Sequence, residues 1–377
     1  MAAYPDLSTM KGDVTPSEAA PPPASGQPRP LTAAPAVNHS TYFLQSPLSP
    51  DEHTLLFISN RSGAAQLYSI DGFPDGPIRQ WTGGPPIHPF SPAFDPGGDV
   101  VYFVRGGEVW AIDRDTLAER RIAAFPGAQL GEVSLSADAR FLTAAIKSGG
   151  TSGIAVGGVD GAGWHVIEFP RTVIHPQFHP LDPEWIEFSG DPAPRMHRVR
   201  RDGRDLECLY HHGNDEFVVH ETFLGQTGDL VYTVWPHSLW RMDWRTRERT
   251  RICEFNAWHI TPNRAGTQVL CDTNHPDRGL HLIDVASGTP RFLCHSHASS
   301  GGSQWRTSRY ALAEDFARAR SEAGQTALSW METATDTVYG PQSSHPHPAF
   351  SPSERWVFFT SDCSGHPQVY AFSLPHG

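Results

Sequence analysis

Close to the C-terminus the chain reads Gln342-Ser343-Ser344-His345-Pro346-His347-Pro348-Ala349-Phe350, and these residue types are the best suited in the sequence to chemistry. If the segment from His345 onward is extended, as its prolines favour, both imidazoles point to one face, because side chains alternate along a strand. Gln342, in the preceding loop, can fold back with its amide oxygen toward the same point. Such a mixed nitrogen and oxygen set suits Mn(II), Fe(II), Ni(II) or Zn(II). The same residues also read as a solvated His-Pro turn, so the rest of the chain has to decide between the two.

The rest of the chain is a repeat. A unit of roughly 40 residues, the length typical of propeller blades, runs from an extended segment through a turn rich in Ser, Pro, Asp and Gly to an apolar strand, a second turn and a strand ending near Asp. It is read in Leu48 to Ser59 with Gln66 to Asp71, in Phe94 to Val104 with Val109 to Asp113, and in Leu135 to Ala145. It recurs in Phe178 to Phe188, Gly225 to Val234, Pro262 to Asp272 with Leu280 to Asp284, and Phe350 to Thr360 with Gln368 to Phe372, giving seven copies. A weaker eighth candidate joins Arg309 to Ala317 with Ala327 to Glu332. Short strands and turns at this period predict an all-β fold, a β-propeller of seven or eight blades, in which each blade buries its faces against its neighbours. The expected organisation is a single propeller domain over 31–377 behind a disordered Pro/Ala-rich tail over 1–30. Arg29 to Ala36 is the segment expected to supply the outer strand of the last blade. Helical periodicity is confined to Asp315 to Ala323, too short to anchor a helical domain.

Histidine favours one phase of this unit. His39, His88, His175, His220, His259 and His345 each open the innermost strand of a copy. Pseudo-rotation gathers equivalent positions of all blades around one mouth of the channel, so these rings are expected to form a functional ring there. Net charge is −12 with no basic cluster, which excludes a nucleic-acid footprint. No run has the apolar length that a bilayer demands. The start of the chain lacks the basic and apolar regions of a secretory signal, and five scattered cysteines without a CxxC pair fit a reducing compartment. A cytoplasmic location is expected.

The run from Gln342 through His347 into Pro348-Ala349-Phe350-Ser351-Pro352, and on to Phe359 through Tyr370, resembles the oligogalacturonate lyases of polysaccharide lyase family 22. The likeness extends over most of the chain from about residue 37. It implies a seven-bladed propeller using Mn(II), with Zn(II) or Ni(II) also acceptable to the ligand set. It implies metal ligands Gln342, His345, His347 and His259, a catalytic Arg195 proposed as base, a second active-site histidine at His220 followed by Glu221, and substrate contacts from His39 and His175. Ser189-Gly190-Asp191-Pro192-Ala193 and the loop from Asp272 to Asp277 depart from the family pattern on the expected sugar-binding surface.

The chemistry implied is β-elimination from an acidic oligosaccharide, in which the C5 proton alpha to a carboxylate is removed. A cation neutralising that carboxylate would contribute several kcal/mol. Arginine is almost never deprotonated and histidine titrates near neutrality, so general chemistry points to His220 as the base and the resemblance to Arg195. Two alternatives stand beside the lyase: a lyase, epimerase or isomerase acting on another acidic sugar, and a non-catalytic TolB-like propeller.

Overall fold

The structure is a computed structural model that describes residues 11–20, 27–191, 193–213, 215–274, 276–300 and 342–374, with Asp191 and Gln342 described by backbone alone. Seven antiparallel sheets follow one another along the chain. Blade 1 runs outward from Asn38–His39 through Thr54–Ser59 and Gln66–Asp71 to Ile78–Gln80, and blade 2 outward from Ala93–Phe94. Blades 3 to 6 begin at Gln129–Leu135, Thr172–His179, Val218–Phe223 and Ile260–Pro262. Blade 7 comprises Ala349–Phe350, Trp356–Ser361 and Gln368–Ser373, and Arg29–Pro30 pairs with the last of these as its outer strand. The first strands of blades 2 to 6 touch in succession, which places them around the axis.

The repeat signature is one turn used over and over. Ser49, Asp95, Ser136, Asn263 and Ser351 each accept, on a side-chain oxygen, the amide hydrogen of the residue five positions on, where the second strand starts. Without that oxygen the amide would be left unpaired at the mouth of the hairpin. The fourth residue of each turn is left-handed: Glu52, Gly98, Ala139, Gly266 and Glu354 have φ between 55° and 78°. This explains why Ser, Asp and Gly punctuate the unit.

The core lies between the sheets. Leu56, Ile58, Leu67 and Trp81 of blade 1 pack with Val101, Phe103 and Ile112 of blade 2, and similar clusters join each later pair. Leu270, Leu280 and Leu282 of blade 6 pack directly on Val357, Phe359 and Tyr370 of blade 7. Blade 7 in turn packs on blade 1, where Phe358 and Val369 meet Leu55, Phe57 and Ile70. The ring therefore closes with seven blades, and the eight-bladed alternative is corrected. The segments that suggested it, together with Asp315 to Ala323, lie outside the described residues.

Two stretches of the expected tail, 11–20 and 27–30, are among the described residues. Val14–Thr15 adds a fifth strand to blade 1 by pairing with Thr15↔Ile78 and Val14↔Arg79, and Glu18 bonds Arg61 at 2.8 Å. Arg29–Pro30, in the segment expected to supply the outer strand of the last blade, pairs there with Ala371 and Tyr370. Backbone pairing with the outermost strands of blades 1 and 7 holds these segments. Among the described residues no helix is long and apolar enough to cross a membrane, and all five cysteines are free.

Candidate metal centre and active site

Three of the channel histidines are aimed by backbone irregularity. His175, His220 and His347 take φ of 54°, 57° and 42°, a region that residues other than glycine rarely enter. The pairing registers of their blades slip at Ile174/Gln177 and Val219/Thr222, so His175 and His220 sit in β-bulges, which re-aim side chains. His345 and His347 are not in an extended strand as their prolines suggested. They lie between a 3-10 turn at Gln342–Ser344 and the strand Ala349–Phe350, and the left-handed His347, not strand alternation, brings the two rings to one side.

His259, His345 and His347 are buried, and one ring nitrogen from each lies within 4.8 Å of the others. The His259 ring is 4.0 Å from that of His347 and 5.6 Å from that of His345, centre to centre. Small ring rotations suffice to reach bonds of about 2.1 Å to one ion. Burial, then the neighbouring imidazoles of His259, His345, His39 and His220, hold His347 well below the ordinary imidazole value, so it is neutral with a lone pair to offer. Its buried Nε2 has no hydrogen-bond partner among the described residues. Three converging buried imidazoles, with the unused lone pair of His347 among them, fit a divalent cation. The side chain of Gln342, the expected fourth ligand, lies outside the description.

Beside the cluster, His220 has its ring 4.6 Å from that of His259 and edge-on to Trp258 at 4.5 Å. Burial, then the charges of His259, His175, Arg195 and His345, hold it well below 6.5, and its buried Nδ1 has no hydrogen-bond partner among the described residues. Arg195 is buried and pairs with Glu221, Nε to Oε1 at 2.9 Å and Nη2 to Oε2 at 3.2 Å. Ser189 donates to the same carboxylate at 2.7 Å. Burial alone would raise Glu221, but the Arg195 charge and these bonds bring it down to about 2. Glu187, also buried, is raised well above 4.5 by burial and by the charge of Glu221.

His175 is stacked on Tyr42 at 5.1 Å and 17°, and its Nε2 is 3.1 Å from the phenol oxygen. Its Nδ1 faces Glu132 at 3.6 Å. His39 is further round the ring, with Nδ1 2.8 Å from the Ser40 carbonyl and its ring 5.1 Å from Phe90, which also packs on His347 at 5.2 Å. His88 reaches neither the cluster nor Arg195 in any described contact. Burial lowers His39 and His88 alike to about 4.

A segment that sequence reasoning missed floors this site. Tyr42 and Phe43 continue from the innermost strand of blade 1 across the channel, where Phe43 packs against His175, His220, His259 and His347. The Phe43 carbonyl accepts from Thr261 of blade 6 at 3.1 Å, and Ser46 donates to the Phe350 carbonyl of blade 7 at 3.1 Å. A cavity of about 390 Å³, lined by Gln45, Asp95, Ser136, Gln177 and Gln226 among others, opens beyond this floor, and none of the expected site residues borders it. In sequence the Thr41-Tyr42-Phe43 run reads as ordinary strand. Asp272, bonded to His259 at 2.7 Å, was visible only as part of an altered loop.

Fold and site together define a class: a seven-bladed propeller with a buried three-imidazole cluster of metal-ligand spacing at one end of its channel. No family model matches the sequence. The chain is 22% identical over 381 residues to the oligogalacturonate lyase of Dickeya dadantii (strain 3937), and 22% identical over 384 residues to the oligogalacturonide lyase of Pectobacterium atrosepticum, covering 92% of both chains in each comparison. A solved oligogalacturonate lyase in complex with manganese is similar with a TM-score of 0.79 at 20% identity, over 97% of this chain and 98% of that one. The architecture is thus shared with these lyases.

Proposed function

We propose that the protein is a metal-dependent lyase that cleaves short uronate oligosaccharides, oligogalacturonates first among them, by β-elimination to 4,5-unsaturated products. The observation that carries this reading is the convergence of His259, His345 and His347 from two blades to within 4.8 Å. The whole-length likeness to proteins named oligogalacturonate lyase, one of them in complex with manganese, supports it. A Mn(II) ion on these imidazoles, with Gln342 as the further ligand, would neutralise the substrate carboxylate and so acidify the neighbouring C–H bond.

The roles of the chain's own residues follow from their charge states. Arg195 is held as guanidinium by Glu221, because losing its proton would strand a buried carboxylate; it is suited to grip the substrate carboxylate. His220 is neutral and offers an unpartnered Nδ1, so it is the side chain to accept the C5 proton. Its low basicity is the expected cost of a dry site, and general-base catalysis by a positioned group is worth about 10²–10⁴ in rate. Tyr42, Phe43 and Phe90 close the floor and keep water from the reacting carbon. His175 and His39 border the sugar on this reading. The free cysteines suit a cytoplasmic enzyme.

The test is incubation of EDTA-treated protein, with and without Mn(II), with digalacturonate and unsaturated digalacturonate, following ultraviolet absorbance of the unsaturated product. Metal-dependent product formation is expected. A protein that binds Mn(II) yet forms isomerised sugar without unsaturation, or is inactive on every uronate disaccharide, overturns the lyase assignment.

A further inference from the structure

The ring of His259 is tied to a carboxylate. Asp272 Oδ2 lies 2.7 Å from His259 Nδ1, and Asp272 Oδ1 accepts the backbone N–H of the same histidine at 2.7 Å. Both side chains are 1% exposed. The two backbones are also paired, with Trp258 N–H donating to the Asp272 carbonyl at 2.9 Å and Asp272 N–H to the His259 carbonyl at 3.3 Å. Neither carboxylate oxygen can turn away without losing a bond in a place water does not reach. An ionised carboxylate only accepts hydrogen bonds. His259 must therefore carry its proton on Nδ1 and keep its lone pair on Nε2.

We propose that Asp272 is the positioning residue that presents His259 Nε2 to the cation and thereby sets the metal affinity of the cluster. The inference rests on the metal-dependent reading above and adds a residue to it that touches neither ion nor substrate. An untethered imidazole divides between two tautomers and rotates about its side-chain bonds; the Asp272 clamp removes both freedoms. Partners of this kind also raise the basicity of the ligating nitrogen, and their loss costs about 10–100-fold in metal affinity.

Asp272→Asn is the informative change because it keeps the shape. An Asn oxygen can still accept from the His259 backbone, but its NH₂ group then faces Nδ1 and can only donate. The proton moves to Nε2, the atom that should ligate. The experiment uses full-length protein freed of metal by EDTA, in wild-type, Asp272→Asn and Asp272→Glu forms, titrated with Mn(II) calorimetrically, with the thermal midpoint of each metal-free form measured in parallel. Asp272→Asn is expected to weaken Mn(II) binding about 10–100-fold, and Asp272→Glu to weaken it less. Equal affinity in wild type and Asp272→Asn overturns the proposal, as does a loss of metal-free stability unaccompanied by any loss of affinity. Nitrogen-15 histidine NMR of the metal-free wild type gives a second readout that needs no variant to fold. Assigned by the signal missing in His259→Gln, the His259 ring must show Nδ1–H; an Nε2–H tautomer overturns the proposal. Wild-type protein that takes up no Mn(II) instead sinks the metal-dependent reading, while the NMR tautomer still decides whether Asp272 orients the ring.

Discussion

Replacing Glu221 by Gln probes the charge balance on which the site depends. In the fold the carboxyl is lowered from 4.5 to about 2, burial being outweighed by Arg195 and Ser189. At about 1.4 kcal/mol for each tenfold change in proton affinity, that corresponds to about 3 kcal/mol of folding stability at pH 7. The direction is fixed by the sign of the shift. A carboxylate with a depressed folded value stabilises fully above pH 4.5 and loses its contribution as pH falls toward 2, so about 1.4 kcal/mol should remain at pH 3. Relief of Glu187, which the Glu221 charge pushes up, offsets part of the loss in the variant. Urea denaturation of wild type and Glu221→Gln from pH 7 to pH 3 is the assay. The expected result is a deficit of about 2–3 kcal/mol at pH 7 that shrinks by roughly half at pH 3. A deficit under about 1 kcal/mol at pH 7, or one independent of pH, would refute the claim that the Arg195 pair outweighs burial.

Glu187→Gln should act in the opposite sense. A carboxyl raised well above 4.5 binds its proton more tightly in the fold than in the unfolded chain, so its effect on stability worsens as pH rises past 4.5; the variant should gain on wild type between pH 4 and pH 7, as read by the same denaturation. Arg195→Lys and His220→Ala are each expected to lower the rate of unsaturated product formation about a hundredfold or more while leaving the Mn(II) affinity of the apo protein within a few fold. Near-normal turnover in either variant removes that residue from the chemistry.

Much of the fold was legible because its turns are chemical. Ser49, Asp95, Ser136, Asn263 and Ser351 repeat one hydrogen bond, and a side chain that must make it leaves a mark in the sequence. The blade count was ambiguous only where Arg309 to Glu332 mimics the unit; direct packing of Leu280 on Phe359 settles it. The site was half legible. His345 and His347 are close in sequence, and His259 was reached by resemblance, but the reasoning for their convergence was at fault. A residue before proline should be extended, yet His175 and His347, each followed by proline, are left-handed, a backbone state imposed by neighbouring strands and costing about 1–3 kcal/mol that no local pattern announces. Asp272 is 13 residues from His259 and meets it only across a hairpin. Tyr42 and Phe43 look like core because they are apolar, and only the ring geometry turns them into a floor.

The pairing of Arg29–Pro30 with Gln368–Ser373 has a consequence for synthesis. A ribosome makes Arg29–Pro30 long before the strands it joins, so the circle stays open until Gln368–Ser373 has been made. His259, His345 and His347 lie at the starts of blades 6 and 7. A product cut short before those strands can therefore neither seal its ring nor bring His259, His345 and His347 together.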